Sequence, residues 1–352
     1  MARSAVLLDN ASKINCSVLI AFLPENVFYA TGFWGEAIAV VKRDSIKLIT
    51  PKLEVERARK DCKNCEVIPT ERGKNMIQML LSNLNDDPVC TDCNDVGVFG
   101  VIKEKISKLV SSTDPFYQSR KVKDNAEVKI IADAAKILDK LFTTCEKAIK
   151  IDVTEKHLQA TLLYEAMKMG AYPPSYKYAL SPLIVASGKN SALPHAEPTE
   201  RKIGNGDLVT VDLTLRYKGY IADATRTFAV GRVSADMEKI YDVVKEAQEA
   251  GLDAANVGAE CGAVDNACRS LIEGREYGKY FIHSTGHGIG LELHEPPWIR
   301  MKNEETLVKN MAITVEPGVY IPNKFGVRIE DSVIVDKKAK VLNKYTKEML
   351  VL

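Results

Sequence analysis

One stretch of the chain, DLVTVDLTLRYKGYIADATRTFAVG (207–231), leaves little freedom in how it folds. Val209, Val211, Leu213 and Leu215 alternate with Thr210, Asp212 and Thr214, the period of a half-buried strand with Asp212 on its polar face. Lys218-Gly219 offers a tight turn, and Asp223, Thr225 and Thr227 share the polar parity of the returning strand. A two-residue loop sets Thr214 opposite Asp223 and Asp212 opposite Thr225, so the two aspartates become diagonal neighbours on one sheet face. Two bare carboxylates there repel each other and call for a neutralising group. The alternative, on this segment alone, is a solvated hairpin face.

A second segment repeats the arrangement with glutamates. In MAITVEPGVYIPNKFGVRIEDSVIV (311–335) Ile313 and Val315 face one way, Thr314 and Glu316 the other. Pro317-Gly318 bends the chain, and after a turn around Asn323–Gly326, Arg328, Glu330 and Ser332 share a face. A glutamate inside an apolar strand costs several kcal/mol unless it is paired or ligating. Arg328 explains one of them more easily than both.

The third piece is FIHSTGHGIGLELHEPPW (281–298), with three of the chain's five histidines, His283, His287 and His294. Glycines 286, 288 and 290 argue against a helix, so His283 and His287 are not the pair of a zinc-binding helix. In an extended strand they point to one face, and glycines beside His287 permit close approach of backbone or ligand. A lone histidine is usually structural; three so close together mark a site. Four carboxylates and an imidazole suit two divalent ions with oxygen-rich shells, manganese, cobalt or iron ahead of a thiolate-type zinc site. Two such ions about 3.5–4 Å apart acidify a water and polarise a carbonyl together.

The remaining sequence bounds the reading. At 352 residues two domains are expected, with enough surface buried for sizeable cores. Forty-eight basic against 47 acidic residues give no basic excess of the kind that nucleic-acid or membrane partners leave. MARSAVLLDNASK lacks the charged start and long apolar core of a signal peptide, and no apolar run approaches the ~20 residues of a bilayer span; a cytoplasmic protein is expected. Residues 1–121 alternate apolar strands (17–23, 37–44, 45–50, CEVIPT and DVGVFG at 95–100) with helices at 51–60 and 75–84, a small α/β domain. It holds no histidine, and we assign it no chemistry. From residue 122 the pattern becomes helical, with further helices at about 155–169, 236–254 and 260–273 among strand pairs, an α+β domain spanning 122–352. Eight cysteines are too few for a disulfide scaffold. Cys62-x-x-Cys65 and Cys90-x-x-Cys93 are spaced as a structural zinc site can be, with unrelated thiols or local disulfides as alternatives, whereas Cys16, Cys145, Cys261 and Cys268 read as small buried hydrophobes.

The segments VDLTL, ADATRTF, HSTGHGIGLELHE, TVEPGVY and GVRIED together resemble the pita-bread metallopeptidases, the family of Xaa-Pro dipeptidases, aminopeptidases P and methionine aminopeptidases. The resemblance covers the whole chain: a creatinase/prolidase-type N-terminal α/β domain and, from about 122, a pita-bread (creatinase/aminopeptidase) catalytic domain of α+β class. It implies that Asp212 chelates a first metal, that Asp223 and Glu330 bridge two, and that His287 and Glu316 hold the second. It further implies that Glu316 shuttles a proton and that His195 (in SALPHAEP), His283 and His294 serve the substrate and the tetrahedral intermediate. Arg328 fits the Xaa-Pro branch, since methionine aminopeptidases usually lack it, the leading domain and the counterpart of His283.

Length and motif spacing resemble archaeal prolidases most closely, so the expected substrates are proline-containing dipeptides or short peptides. Those enzymes often carry an arginine shortly after the HExP segment. Here Trp298 stands there and Arg300 follows, which keeps an Xaa-Pro aminopeptidase as the alternative. Manganese or cobalt is the expected metal, with iron or zinc also possible, and relatives commonly form homodimers. A non-catalytic binding module of the same fold, or a metal-independent amidinohydrolase, would not need the full ligand set.

Overall fold

The computed structural model describes residues 3–181 and 183–352. They divide into two compact units, one ending at Arg120 and the other Lys121–Leu352. Among the described residues no helix is long and apolar enough to cross a membrane.

The first unit is built on six strands: β1 (Val18–Ala21), β2 (Ile38–Lys42), β3 (Ser45–Pro51), β4 (Glu66–Thr70), β5 (Val89–Thr91) and β6 (Leu109–Ser111). Their order is β4-β3-β2-β1-β5-β6, with β2 antiparallel to both β1 and β3, and β4, β5 and β6 added in parallel. The parallel additions come through helical crossovers, as parallel pairing requires. One expectation fails. DVGVFG is not a strand but the start of helix Val96–Lys105. The Asp95 carboxylate accepts from the Val98 N–H at 2.8 Å, an N-cap, while Ile102 is buried and Val98 and Phe99 pack against the same core. The actual strands on either side, β5 and β6, are short.

The two CxxC units do not converge. Cys62 and Cys65 form a disulfide with each other, whereas Cys90 and Cys93 are buried free thiols. The reason is topological: the Cys62–Cys65 loop leads into β4 at one edge of the sheet, and Cys90 lies in β5 beyond β1.

In the second unit, β7 (Ala171–Tyr172), β8 (Ile184–Ser187), β9 (Leu208–Tyr217) and β10 (Tyr220–Ala229) form one sheet, with β9 central. Lys218 and Gly219 both take positive φ, the geometry of a two-residue hairpin turn whose twist matches the strands. The register is the expected one, Asp223 against Thr214 and Thr225 against Asp212. A second sheet runs β12 (Glu295–Ile299), β11 (Gly286–Gly288), β13 (Ala312–Val315), β16 (Asp331–Ile334) and β17 (Lys340–Val341), and β14 (Gly318–Ile321) pairs with β15 (Phe325–Arg328) as a separate ribbon. The 311–335 segment is therefore not one hairpin. Pro317, without an N–H, and Gly318, where an added Cβ would lie 2.5 Å from the Tyr320 hydroxyl, turn the chain sharply between β13 and β14. Glu316 sits at that corner and Glu330 at the matching corner between β15 and β16.

Helices Asn125–Ala148 and Glu155–Lys168 pack on the β8–β9–β10 side, and helices Ala235–Ala254 and Cys261–Gly274 pack on the side of β13, β15 and β16. The first begins with a capping box between Asp124 and Glu127, satisfying two N-terminal donors at once. The two halves meet along β10, all of which is buried.

At that seam the Arg226 guanidinium donates to Asp331 Oδ1 at 2.7 Å and to the carbonyls of Thr225, Glu330, Tyr345 and Thr346. Both partners are buried, and removing one member of such a pair strands the other charge. Arg226→Met is expected to cost about 3–5 kcal/mol, read as an earlier urea transition of the second unit; a loss below about 1 kcal/mol would mean the pair behaves like a surface contact.

Candidate metal centre

The polar face of the β9–β10 hairpin turns inward, not to solvent. Thr225 and Thr227 are buried, as is Asp223, and their partners come from the opposite half of the unit. The Ser332 hydroxyl donates to the Asp223 carbonyl at 2.7 Å and accepts its N–H at 2.9 Å. Thr225 Oγ1 donates to Glu330 Oε2 at 2.7 Å and accepts from Arg328 Nε at 3.1 Å. Arg328, Glu330 and Ser332 thus all reach β10, as their shared parity in the sequence requires.

Three of the expected ligands converge: an Asp223 oxygen, a His287 nitrogen and a Glu330 oxygen lie within 4.8 Å of one another. Glu316 joins through His287, whose Nε2 is 3.2 Å from Glu316 Oε1. Asp212 is on the same face of the hairpin, tied by Arg328 Nη2 to its Oδ2 at 2.7 Å. His287 is held from behind: its Nδ1 contacts the Gly288 carbonyl at 3.0 Å, and its N–H donates to Thr314 Oγ1 at 3.1 Å. Close backbone approach at Gly286 and Gly288, where a Cβ would lie 2.1 and 2.4 Å from neighbouring carbonyl oxygens, explains the glycines around it.

Electrostatics show a cluster short of positive charge. Burial, then the Asp212 charge, pushes the Asp223 carboxyl well above the usual carboxylate range. Burial, then Asp223, Glu316 and Asp212, does the same to Glu330. Glu316 differs: burial raises it, but the His287 hydrogen bond and the His287, His283 and Arg328 charges prevail and hold it at about 2. Asp212 Oδ1 and Glu330 Oε1 are buried with no hydrogen-bond partner. Buried polar atoms are nearly always satisfied, so two orphaned carboxylate oxygens beside a carboxylate–imidazole cluster fit a bound cation. The donor set, four carboxylates to one imidazole, suits hard to borderline divalent ions.

The other expected site residues surround this cluster at different depths. His283 is not in an extended strand, since only Gly286–Gly288 pairs; it lies in the preceding loop, half-buried, with Nε2 2.9 Å from Tyr320 Oη. His294 stacks edge-on against His287 at 4.3 Å between ring centroids, and burial, then the His287 charge, pushes it down to about 3. His195 is exposed in the loop after the short helix Gly188–Ala192, close enough for its charge to lower both His283 and His294. Tyr320 was not singled out in the sequence. Its buried hydroxyl accepts from Arg328 Nη1 at 2.8 Å and joins it to His283, and Arg328 Nη1 also donates to the Pro194 carbonyl at 3.2 Å. Its place in TVEPGVY, opposite the Arg328 strand, was the available signal.

Residues 129–337 match the model of metallopeptidase family M24, and residues 3–122 that of the Creatinase/Prolidase N-terminal domain. The Xaa-Pro dipeptidase of Pyrococcus furiosus is 34% identical over 340 residues, 93% of each chain. Among solved structures, an Xaa-Pro dipeptidase from Bacillus anthracis superposes with a TM-score of 0.93 at 32% identity, covering 99% of both chains. An X-Pro aminopeptidase from Thermotoga maritima superposes with a TM-score of 0.89 at 30% identity, covering 100% of both. With a creatinase-type leading domain, a pita-bread catalytic domain and a buried carboxylate–histidine cluster between its halves, the chain belongs to metallopeptidase family M24.

Proposed function

We propose that the chain hydrolyses Xaa-Pro dipeptides, with two divalent ions held by Asp212, Asp223, His287, Glu316 and Glu330. The observation that carries the reading is the pair of orphaned, buried carboxylate oxygens on Asp212 and Glu330 beside the Asp223–His287–Glu330 cluster. Asp212 would serve one ion, His287 and Glu316 the other, and Asp223 and Glu330 both. Manganese or cobalt suits this set best, with iron or zinc as alternatives. Bound there, the ions supply Lewis acidity that polarises the scissile carbonyl and makes a water nucleophilic at neutral pH.

The chain's own residues do the rest. Glu316, held ionised, accepts the proton of the attacking water and returns it to the leaving nitrogen. That nitrogen belongs to proline and has no N–H in the substrate, so binding must rely on other groups. His195, His283 and His294 supply them around the reacting carbonyl, donating to the developing oxyanion and to the substrate's ends. Arg328 holds Asp212, Tyr320 and the Pro194 carbonyl, fixing the His195 loop and the His283 ring at once. The 122–352 unit carries all these groups, and the leading domain, 1–121 in this reading, carries none. A homodimer, on the family resemblance, and a cytoplasmic location complete the proposal, with no nucleic-acid or membrane partner.

A second reading, an Xaa-Pro aminopeptidase acting on longer peptides, is favoured by Trp298, 37% exposed on β12, where archaeal dipeptidases often have an arginine. Manganese- or cobalt-loaded protein incubated with Ala-Pro, Gly-Pro and an Xaa-Pro-Xaa tripeptide separates the two. Cleavage of the dipeptides alone is the expected result; release of the first residue from the tripeptide would replace the dipeptidase reading with the aminopeptidase one.

A further inference from the structure

The loop between β11 and β12 ends in His294 and wraps around a single carboxylate, that of Glu295. Glu295 Oε2 accepts the Glu292 N–H at 3.3 Å, and a Cβ on Gly290 would lie 2.4 Å from Oε1, so the loop backbone packs directly on it. The Glu295 charge is matched by Lys123, whose Nζ donates to Oε1 at 2.8 Å, with both side chains 1% exposed. Lys123 lies 172 residues away in sequence and is itself fixed: its N–H donates to the Asn310 carbonyl at 2.9 Å, and its Nζ to the Lys121 carbonyl at 3.2 Å. The loop is also pinned to the β9–β10 hairpin, by Ile221 N–H to the Gly290 carbonyl at 2.8 Å and by Arg216 Nη1 to the Leu291 carbonyl at 2.8 Å. His294, however, is adjacent to the carboxylate and not to those pins. It stands between the His287 ring at 4.3 Å and the Tyr176 ring at 5.3 Å, without a hydrogen bond of its own among those described for the protein. Two ring-edge contacts alone fix an imidazole weakly.

A fully buried ion pair is a poor way to gain stability, because desolvation of both charges offsets their attraction. It is a good way to fix geometry, since a buried carboxylate cannot drift from a buried cation without large cost. We propose that Lys123, acting through Glu295, is a positioning residue for His294, setting the ring where it meets the substrate. The inference rests on the reading of His294 as a substrate-contacting group. Lys123 touches none of the proposed metal ligands, and His287 is braced separately by Thr314.

The experiment is a double-mutant cycle on the cobalt-loaded enzyme with Ala-Pro as substrate, comparing Lys123→Met, His294→Ala and both together. Misplacement of a group by about 1 Å costs up to about 100-fold, so Lys123→Met is expected to lower kcat by about 10- to 100-fold, with the visible cobalt spectrum and metal content unchanged. In the His294→Ala background the same substitution should then cost less than about 3-fold, because coupled sites are not additive. If Lys123→Met does not fold, Lys123→Met/Glu295→Gln removes both buried charges and keeps an acceptor for the Glu292 N–H; it is expected to fold and to show the same loss and the same non-additivity. Losses that multiply, an altered cobalt spectrum, or wild-type kcat in either variant would overturn the proposal. A His294→Ala enzyme with unchanged kcat would instead overturn the role given to His294 itself.

Discussion

Asp223→Asn is expected to reduce turnover of Ala-Pro by on the order of 10³-fold or more, the scale on which loss of a preorganised electrostatic group acts, in a protein that remains folded. Every neighbour that fixes Asp223 survives the change. Asparagine keeps an oxygen to accept from Thr214 Oγ1, now at 2.8 Å, and the backbone keeps its two contacts with Ser332 Oγ. What disappears is one negative charge where two ions are proposed to be shared. The metal-free variant should therefore melt above the metal-free parent, because burial and the Asp212 charge make an ionised Asp223 unfavourable there. The metal-loaded variant should melt below the loaded parent. Rates with saturating manganese, bound metal by elemental analysis and melting curves read the three effects. Wild-type turnover in Asp223→Asn would remove the bridging assignment; a lower melting point in the metal-free variant would show that its carboxylate is structural.

The register of the β9–β10 hairpin was readable because three local signals agree: a period-two pattern, a Lys-Gly turn, and threonines that make sense only beside aspartates. The catalytic unit's four long helices were equally plain, each with apolar spacing and the first three capped by a side chain, Asp124, Thr154 and Ser234. DVGVFG misled because three apolar residues in six, Val96, Val98 and Phe99, fit a buried strand and a helix start alike, and short runs do not separate the two periods. Only Asp95, as an N-cap, argued for the helix. The 311–335 segment misled differently. Its parity was right, since Arg328, Glu330 and Ser332 do reach one neighbour, but parity is blind to corners, and the chain leaves its sheet at Glu316 and re-enters it at Glu330. Those corners set Glu330 against Thr225 of β10 and Glu316 against His287.

For the site, the ligand types, their contexts and Arg328 lay in the sequence, whereas the pairings made by Tyr320 and Lys123 did not. Tyr320 joins His283 to Arg328 across 37 positions in one direction and eight in the other. Lys123 meets Glu295 across 172 positions. Neither pairing leaves a periodic trace, and both depend on which strands become neighbours. The cysteine pairs show the converse: their spacing was suggestive, and the order of the sheet decided against a shared site.

Removal of metal is expected to do more than stop turnover; it should make the protein's stability fall as pH rises. In the metal-free state the Asp223 and Glu330 carboxyls are held above their ordinary range, chiefly by burial and then by neighbouring carboxylates. Such a group keeps its proton in the folded state after the unfolded chain has lost it, so its cost is absent below about pH 4 and grows as pH rises from there through the raised value. His287, raised by Glu316 and Asp223 against the effect of burial, adds stability below its unfolded value that is lost as pH climbs through the folded one. Glu316, held at about 2, acts oppositely, but its contribution is complete once pH exceeds about 4.3. Above pH 5 the three remaining effects therefore agree, and the chelated protein should melt progressively lower toward pH 8. Divalent ions bind the ionised carboxylates and the neutral imidazole, so their affinity increases over the same range. At a free concentration one hundred times the dissociation constant they add about 2.7 kcal/mol. The gap between loaded and chelated melting points should accordingly widen with pH, and the slope of the chelated series should flatten in Asp223→Asn, which separates this cluster from every other titrating group. A gap independent of pH, or a chelated parent and variant with the same slope, would mean that these carboxylates do not depend on a cation for their charge.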